Sequence, residues 1–183
     1  FEDRLLDRLI NDPSPSLALV AQFQSWMDGT CVVVDDEGRI ERFVSSQEFN
    51  YNESDRYYKT VNIYKFSREF SRSHYIPFLS AYRQALGDNE YYEQVLKVVA
   101  SLENPEIRAL KLGDELWYEI DDAQDLDIAE SLFAKGEERL SKLESCYGGY
   151  WRYNSLVDFC YLVNPYFPPP RLMAELKANF DRL

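Results

Sequence analysis

The stretch that most constrains this chain is Trp117 to Glu130, WYEIDDAQDLDIAE. An apolar and aromatic run enters a cluster of acids, and the acids enter an amphipathic helix. A strand that ends where a helix begins is the place where open α/β sheets bind ligands. Along a strand, side chains alternate, so Glu119 and Asp121 would share one face. Two carboxylates so placed suit a hard divalent cation with a phosphate beside it. The same residues also fit a purely local role, in which Asp121 caps the helix and Gln124 completes a capping box. The two roles are compatible, because a capping carboxylate can also meet a cation.

The flanking sequence supplies the remaining parts of an α/β fold. FEDRLLDRLI places Phe1, Leu5, Leu6, Leu9 and Ile10 on one helical face, and Asn11-Asp12-Pro13 stops that helix. LALVAQF (17–23) reads as a short buried strand. CVVVDDEGRIERFV reads as a hairpin, with Val32 to Val34 and Ile40 to Val44 paired across a turn at Asp35 to Gly38. Ser45 to Asp55 is polar and reads as a loop. YYKTVNIYKFS (57–67) is β-branched and aromatic, as buried strands are. Ser67 can cap a following helix, Tyr75 to Leu86 is helical up to Gly87, and Asn89 can cap a helix over 90–102. Ile107 to Leu112 and Leu116 to Ile120 read as two strands. The last long helix runs from about Gln124 to Glu144, with Leu126, Ala129, Phe133, Leu140 and Leu143 facing the core and Glu138 paired with Lys142 outside. The character changes after Ser145, which predicts one unit over 1–145 and a second over 146–183. The second contains a Pro-rich tail and a helix from about Arg171.

Composition bounds the function. A formal net charge of −12 over 183 residues excludes a general binder of nucleic-acid backbones, but not a small phosphate ligand neutralised by a cation. No apolar run approaches the roughly 18 residues of a membrane span. Three widely spaced Cys and a single His, His74, offer no metal-ligand spacing and predict a reduced, cytoplasmic setting. One His and no nucleophile elbow leave no Ser-His-Asp or Cys-His arrangement, and no P-loop or dinucleotide fingerprint is present. The chain begins at Phe1, so it is expected to be a piece of a longer protein.

Three further stretches could line a pocket. WMDGT (26–30) carries Gly29, which permits close backbone approach, although a tight connection between strands would look the same. Tyr91, Tyr92, Glu90 and Glu93 in NEYYEQVL could meet an ammonium group through ring faces and carboxylates, or the aromatics could be core. Thr60, Asn62 and Tyr64 alternate along YKTVNIY and could face a ligand, as could any half-polar strand.

Taken in order, FEDRLLDRLI, WMDGT, VVVD-x-x-G-x-I, YKTVNIYKFS, NEYYEQVL and WYEIDDAQDL resemble the C-terminal half of sugar-phosphate-type nucleotidyltransferases, and within them the phosphocholine and aminoethylphosphonate cytidylyltransferases. The likeness covers about residues 1–135. It implies a Rossmann-like mixed sheet flanked by helices and a reaction of CTP with a phosphorylated or phosphonylated amino-alcohol. Such enzymes use Mg2+, and their CTP loop and first metal-binding acid would lie before Phe1. The second metal ligand falls on Asp121, with Glu119 as a further candidate. The substrate side falls on Trp26, Asp28, Asn62 and Tyr64, with Tyr92, Glu93 and Trp117 completing an amine-binding wall. LVDFCYLVNPYFPP (156–169) resembles the opening of fold-type-I pyridoxal-phosphate (PLP) aminotransferases, whose pattern is N-x-N-P-x-x-P-P. Asn164, Pro165, Pro168 and Pro169 match it, and Leu162 replaces the first Asn. That likeness implies a fused aminotransferase downstream, where PLP would bind. The alternatives are a sugar-1-phosphate nucleotidyltransferase, or an interaction domain that kept the fold and lost the nucleotide loop.

Overall fold

A computed structural model describes residues 1–88, 92–102, 107–145 and 167–180. The chain divides into two compact units, Phe1–Ser145 and Cys146–Leu183. The first is a mixed α/β unit built on a five-stranded sheet: β1 (Ser16–Gln22), β2 (Cys31–Val34), β3 (Ile40–Val44), β4 (Tyr57–Phe66) and β5 (Arg108–Lys111). The spatial order is β3-β2-β4-β1-β5. The sheet is mixed, as expected: among the described residues the β1–β5 ladder is parallel, and β1–β4, β2–β3 and β2–β4 are antiparallel.

Helices cover both faces because β1 is apolar on both. Ala18 and Val20 face a cluster with Val32, Phe43 and Phe70 and with Val95, Leu96 and Val99 of α4 (Glu93–Ala100). Leu17, Leu19 and Ala21 alternate to the opposite face, where Leu5 and Leu9 of α1 (Asp3–Asn11) close over them. Of the apolar face expected for α1, only the i, i+4 pair Leu5 and Leu9 is fully buried. Phe1 and Ile10 lie at its edges and are exposed.

The helical segment after β4 starts as expected, with Ser67 Oγ accepting from Phe70 N at 3.1 Å. It runs through α2 (Arg68–Phe70), a π-helical turn (Ser71–Tyr75) and α3 (Ile76–Leu86), and Gly87 ends it at φ +89°. The polar stretch after β3, read as a loop, folds into a 3-10 helix at Tyr51–Arg56. Phe49 supplies the reason, packing 4.7 Å from both Phe23 and Tyr57. Asn89 lies outside the described residues, so its expected cap on α4 does too.

Two expectations near the acidic turn are corrected. Leu116 to Ile120 joins no ladder and is not a strand. Its backbone serves α1 instead: Glu2 N donates to Leu116 O at 3.1 Å, and Trp117 packs on the Leu5/Leu9 cluster. The long helix is also two, α5 (Ala123–Phe133) and α6 (Gly136–Ser145). Ala134 leaves helical geometry at ψ 152° and Gly136 turns at φ +56°. The break leaves Leu126 and Leu140 exposed and lets Lys142 reach back to Glu130 at 2.6 Å, rather than forming the expected pair with Glu138. In the second unit, α7 (Pro170–Ala178) accounts for the predicted C-terminal helix. Among the described residues, no helix is long and apolar enough to cross a membrane.

Candidate functional site

The site is built where the β1–β4 ladder shifts register, between Ala18 and Val20. Opposite that shift, Asn62 adopts φ +60°, a left-handed conformation that costs a non-glycine residue energy and persists where surrounding contacts hold it. Here they do. Asn62 Nδ2 donates to Glu119 Oε1 at 2.8 Å, and Asn62 Oδ1 accepts from Thr60 Oγ1 at 3.1 Å. The Tyr92 hydroxyl reaches the same oxygen in a long contact of 3.5 Å.

Glu119 is held from its other side by Lys59, whose Nζ lies 2.9 Å from Glu119 Oε2 and donates to Thr60 O at 2.9 Å. The Lys59 side chain is only 3 % exposed. Gly29 packs over its tip. At φ +84°, with Lys59 Cε and Nζ each 3.4 Å from where a Cβ would sit, that position needs glycine for its backbone and has little room for a side chain.

Carboxylate oxygens of Asp28, Glu119 and Asp121 all lie within 4.8 Å of one another. The sequence assigns Asp28 to the substrate side, whereas the fold brings it to the acidic pair. The like charge of Glu119, followed by desolvation and then Asp28, pushes the Asp121 carboxyl above its ordinary value. Three hard oxygen donors on two separate segments match the chemistry of Mg2+ or Ca2+. The helix cap belongs to the neighbour, not to Asp121: Asp122 Oδ1 accepts from Asp125 N at 2.9 Å. Asp121 is thereby left to the cluster. The Asp122 carboxylate serves the first turn of α5, while Asp125 Oδ2 accepts from Asp121 N at 3.3 Å, before the helix.

The acids open into a cleft of about 660 Å³ that also takes in Glu93 and Asn62. Glu93 is 8 % exposed, and its Oε2 has no hydrogen-bond partner. Tyr64 and Tyr92 meet edge to face at 5.9 Å behind Asn62. Burial, together with the negative charge of Glu93, raises both phenols above the ordinary tyrosine range. Both therefore stay protonated; Tyr92 points its hydroxyl at Asn62, and the buried Tyr64 hydroxyl has no hydrogen-bond partner among the described residues.

Trp26 and Trp117 stand apart from this cleft. Trp26 stacks on Tyr118 at 5.2 Å and donates from Nε1 to Gln24 at 2.8 Å, which fastens the 26–30 loop to the acidic stretch. Trp117 faces the α1 core. Lys59 is the residue that sequence reading missed. Its signal was a cation in the first, buried half of β4, where burial demands a partner.

No family model matches the chain. It is similar to the CMP-5'-(3-aminopropyl)phosphonate synthase of Streptomyces rubellomurinus, with 30 % identity over 185 residues covering 99 % of this chain and 29 % of that protein. The chain thus spans less than a third of the length of the curated relative it matches.

Proposed function

We propose that this chain is the acceptor-binding part of a CTP-using nucleotidyltransferase, whose full-length parent joins CMP to a small phosphonate or phosphate bearing an amine and releases pyrophosphate. The observation that carries this reading is the cleft in which Asp28, Glu119 and Asp121 converge opposite the buried acid Glu93. The name of the Streptomyces relative, a synthase of a CMP-linked aminoalkylphosphonate, supports it.

The attacking atom is an oxygen of the acceptor's own phosphonate or phosphate, which is already anionic at neutral pH, so no general base is required. The difficulty is bringing two anions together in a chain of net charge −12. Bound Mg2+ would supply the positive charge that this approach needs. Asp121 and Asp28 are the residues we assign to hold it. Glu93 and the rings of Tyr64 and Tyr92 are assigned to the ammonium end of the acceptor, with Asn62 orienting Glu119 between the two ends. The four acids of this cleft, Asp28, Glu93, Glu119 and Asp121, favour an acceptor that carries an amine. The residues from Leu156 onward are proposed to open a PLP aminotransferase domain that would make the aminated acceptor. The stretch Cys146 to Tyr166 lies outside the described residues.

The test is pyrophosphate release by the full-length parent with CTP and a panel of aminoethylphosphonate, aminopropylphosphonate, phosphoethanolamine and phosphocholine. The expected result is turnover of at least one of these, with most of the rate lost in Asp121→Ala. The isolated 183-residue chain should not turn over CTP. Absence of turnover across the panel, or an Asp121→Ala enzyme with wild-type rate, refutes the assignment.

A further inference from the structure

The acidic cluster contains a cation of its own. Lys59 Nζ takes Glu119 Oε2 at 2.9 Å while Asn62 takes Oε1 at 2.8 Å, so both oxygens of that carboxylate are already engaged. Three carboxylates and one ammonium leave a local excess of two negative charges, the charge of a single divalent ion. The ammonium cannot drift away. It is buried, it donates to Thr60 O, and Gly29 packs over it. A second feature marks the same cleft as a place for cationic groups: Glu93 is nine-tenths buried there with an unpartnered oxygen.

We propose that Lys59 is a built-in counter-cation that occupies Glu119 and competes with a divalent ion for it, thereby setting how tightly this site binds metal. It is a positioning residue that acts through Glu119. An ion held by Asp28 and Asp121 would sit next to a carboxylate already neutralised. Binding is then weak enough to exchange and gains strength when an anionic ligand adds its own oxygens. With Lys59 removed, Glu119 becomes a third charged oxygen donor, still aimed by Asn62. This proposal rests on the metal-binding reading above.

The experiment is Mn2+ titration of the full 183-residue chain, read by water-proton relaxation, without nucleotide. Lys59→Met keeps the length and apolar stem of lysine and removes the charge. It should tighten Mn2+ binding by roughly ten- to hundredfold, the range in which changes beside a metal ligand act. Lys59→Arg should behave like wild type. In a Glu119→Gln background, Lys59→Met should change affinity by no more than about twofold, because the two residues act as one unit. Unchanged or weaker binding in a folded Lys59→Met chain overturns the proposal, as does the same tightening in both backgrounds. Should Lys59→Met fail to fold, 15N-lysine spectra of the wild-type chain carry the test, with the Lys59 Nζ signal assigned by its loss in Lys59→Arg. That signal should move on Mg2+ saturation, and a signal that stays in place overturns the assignment. If wild type binds no Mn2+, the metal reading itself fails and the proposal falls with it. Binding without the Lys59 dependence removes the proposal alone.

Discussion

The contact that fixes α1 to the segment leading into the acidic turn makes a quantitative prediction. Glu115 is buried at its side chain, pairs with the Arg8 guanidinium, and accepts from Gly113 N at 2.7 Å. The adjacent guanidinium holds this carboxyl at about 2, against an ordinary value of 4.5. By linkage, such a depression can contribute at most about 3.4 kcal/mol at neutral pH. The Arg8 side chain is 41 % exposed, and solvent screening reduces this to about 1–2 kcal/mol. The sign follows from the depressed value. The contribution is complete above the unfolded carboxyl value near 4.5, and it disappears as pH falls towards 2. Glu115→Gln keeps an acceptor for Gly113 N and removes the charge. Urea unfolding at pH 7 should show the variant about 1–2 kcal/mol less stable, and the difference should shrink steadily through the acid range towards pH 2. An equal deficit at pH 7 and near pH 2 would refute the electrostatic account and assign the loss to packing.

Other outcomes follow from the same geometry. Asp121→Asn should raise the melting temperature at neutral pH while abolishing the Mn2+ relaxation signal, because the Asp121 carboxyl is held above its ordinary value by Glu119 and is ionised there at a cost to the fold. A lower melting temperature would contradict the repulsion. Leu5→Ala should destabilise the chain by about 2–5 kcal/mol in urea, since Leu5 is fully buried between α1 and the sheet. A loss below about 1 kcal/mol would mean that α1 does not close that face.

Much of the fold was legible because alternation and burial are local signals. β1, the β2–β3 hairpin and β4 were readable from apolar runs bounded by turn residues, and Ser67 and Gly87 marked the ends of the helical segment after β4. The segment from Leu116 to Ile120 was misread because its apolar residues look like a strand. Trp117 packs instead on the cluster of α1, more than a hundred residues away in sequence, while Leu116 and Ile120 stay exposed. The break between α5 and α6 was missed because the apolar spacing continues across Gly136, whose left-handed turn redirects the chain. At the site, Glu119 and Asp121 were found by their spacing alone, although they do not lie on a strand. Asp122 took the capping role proposed for Asp121, which a one-residue ambiguity in helix start could not resolve.

The sequence by itself determined the alternating β-strands, the amphipathic helices, the acidic turn and the excess of negative charge, because each depends on residues close together along the chain. Only the tertiary structure decided which acids meet. Asp28 arrives from a loop 91 residues before Glu119, and Lys59 comes from near the start of β4 to pair with Glu119. A carboxylate's chemistry is set by the charges within a few ångströms of it, and those neighbours are supplied by the sheet, not by adjacency in the chain. For Glu119 the decisive neighbour is the buried ammonium of Lys59.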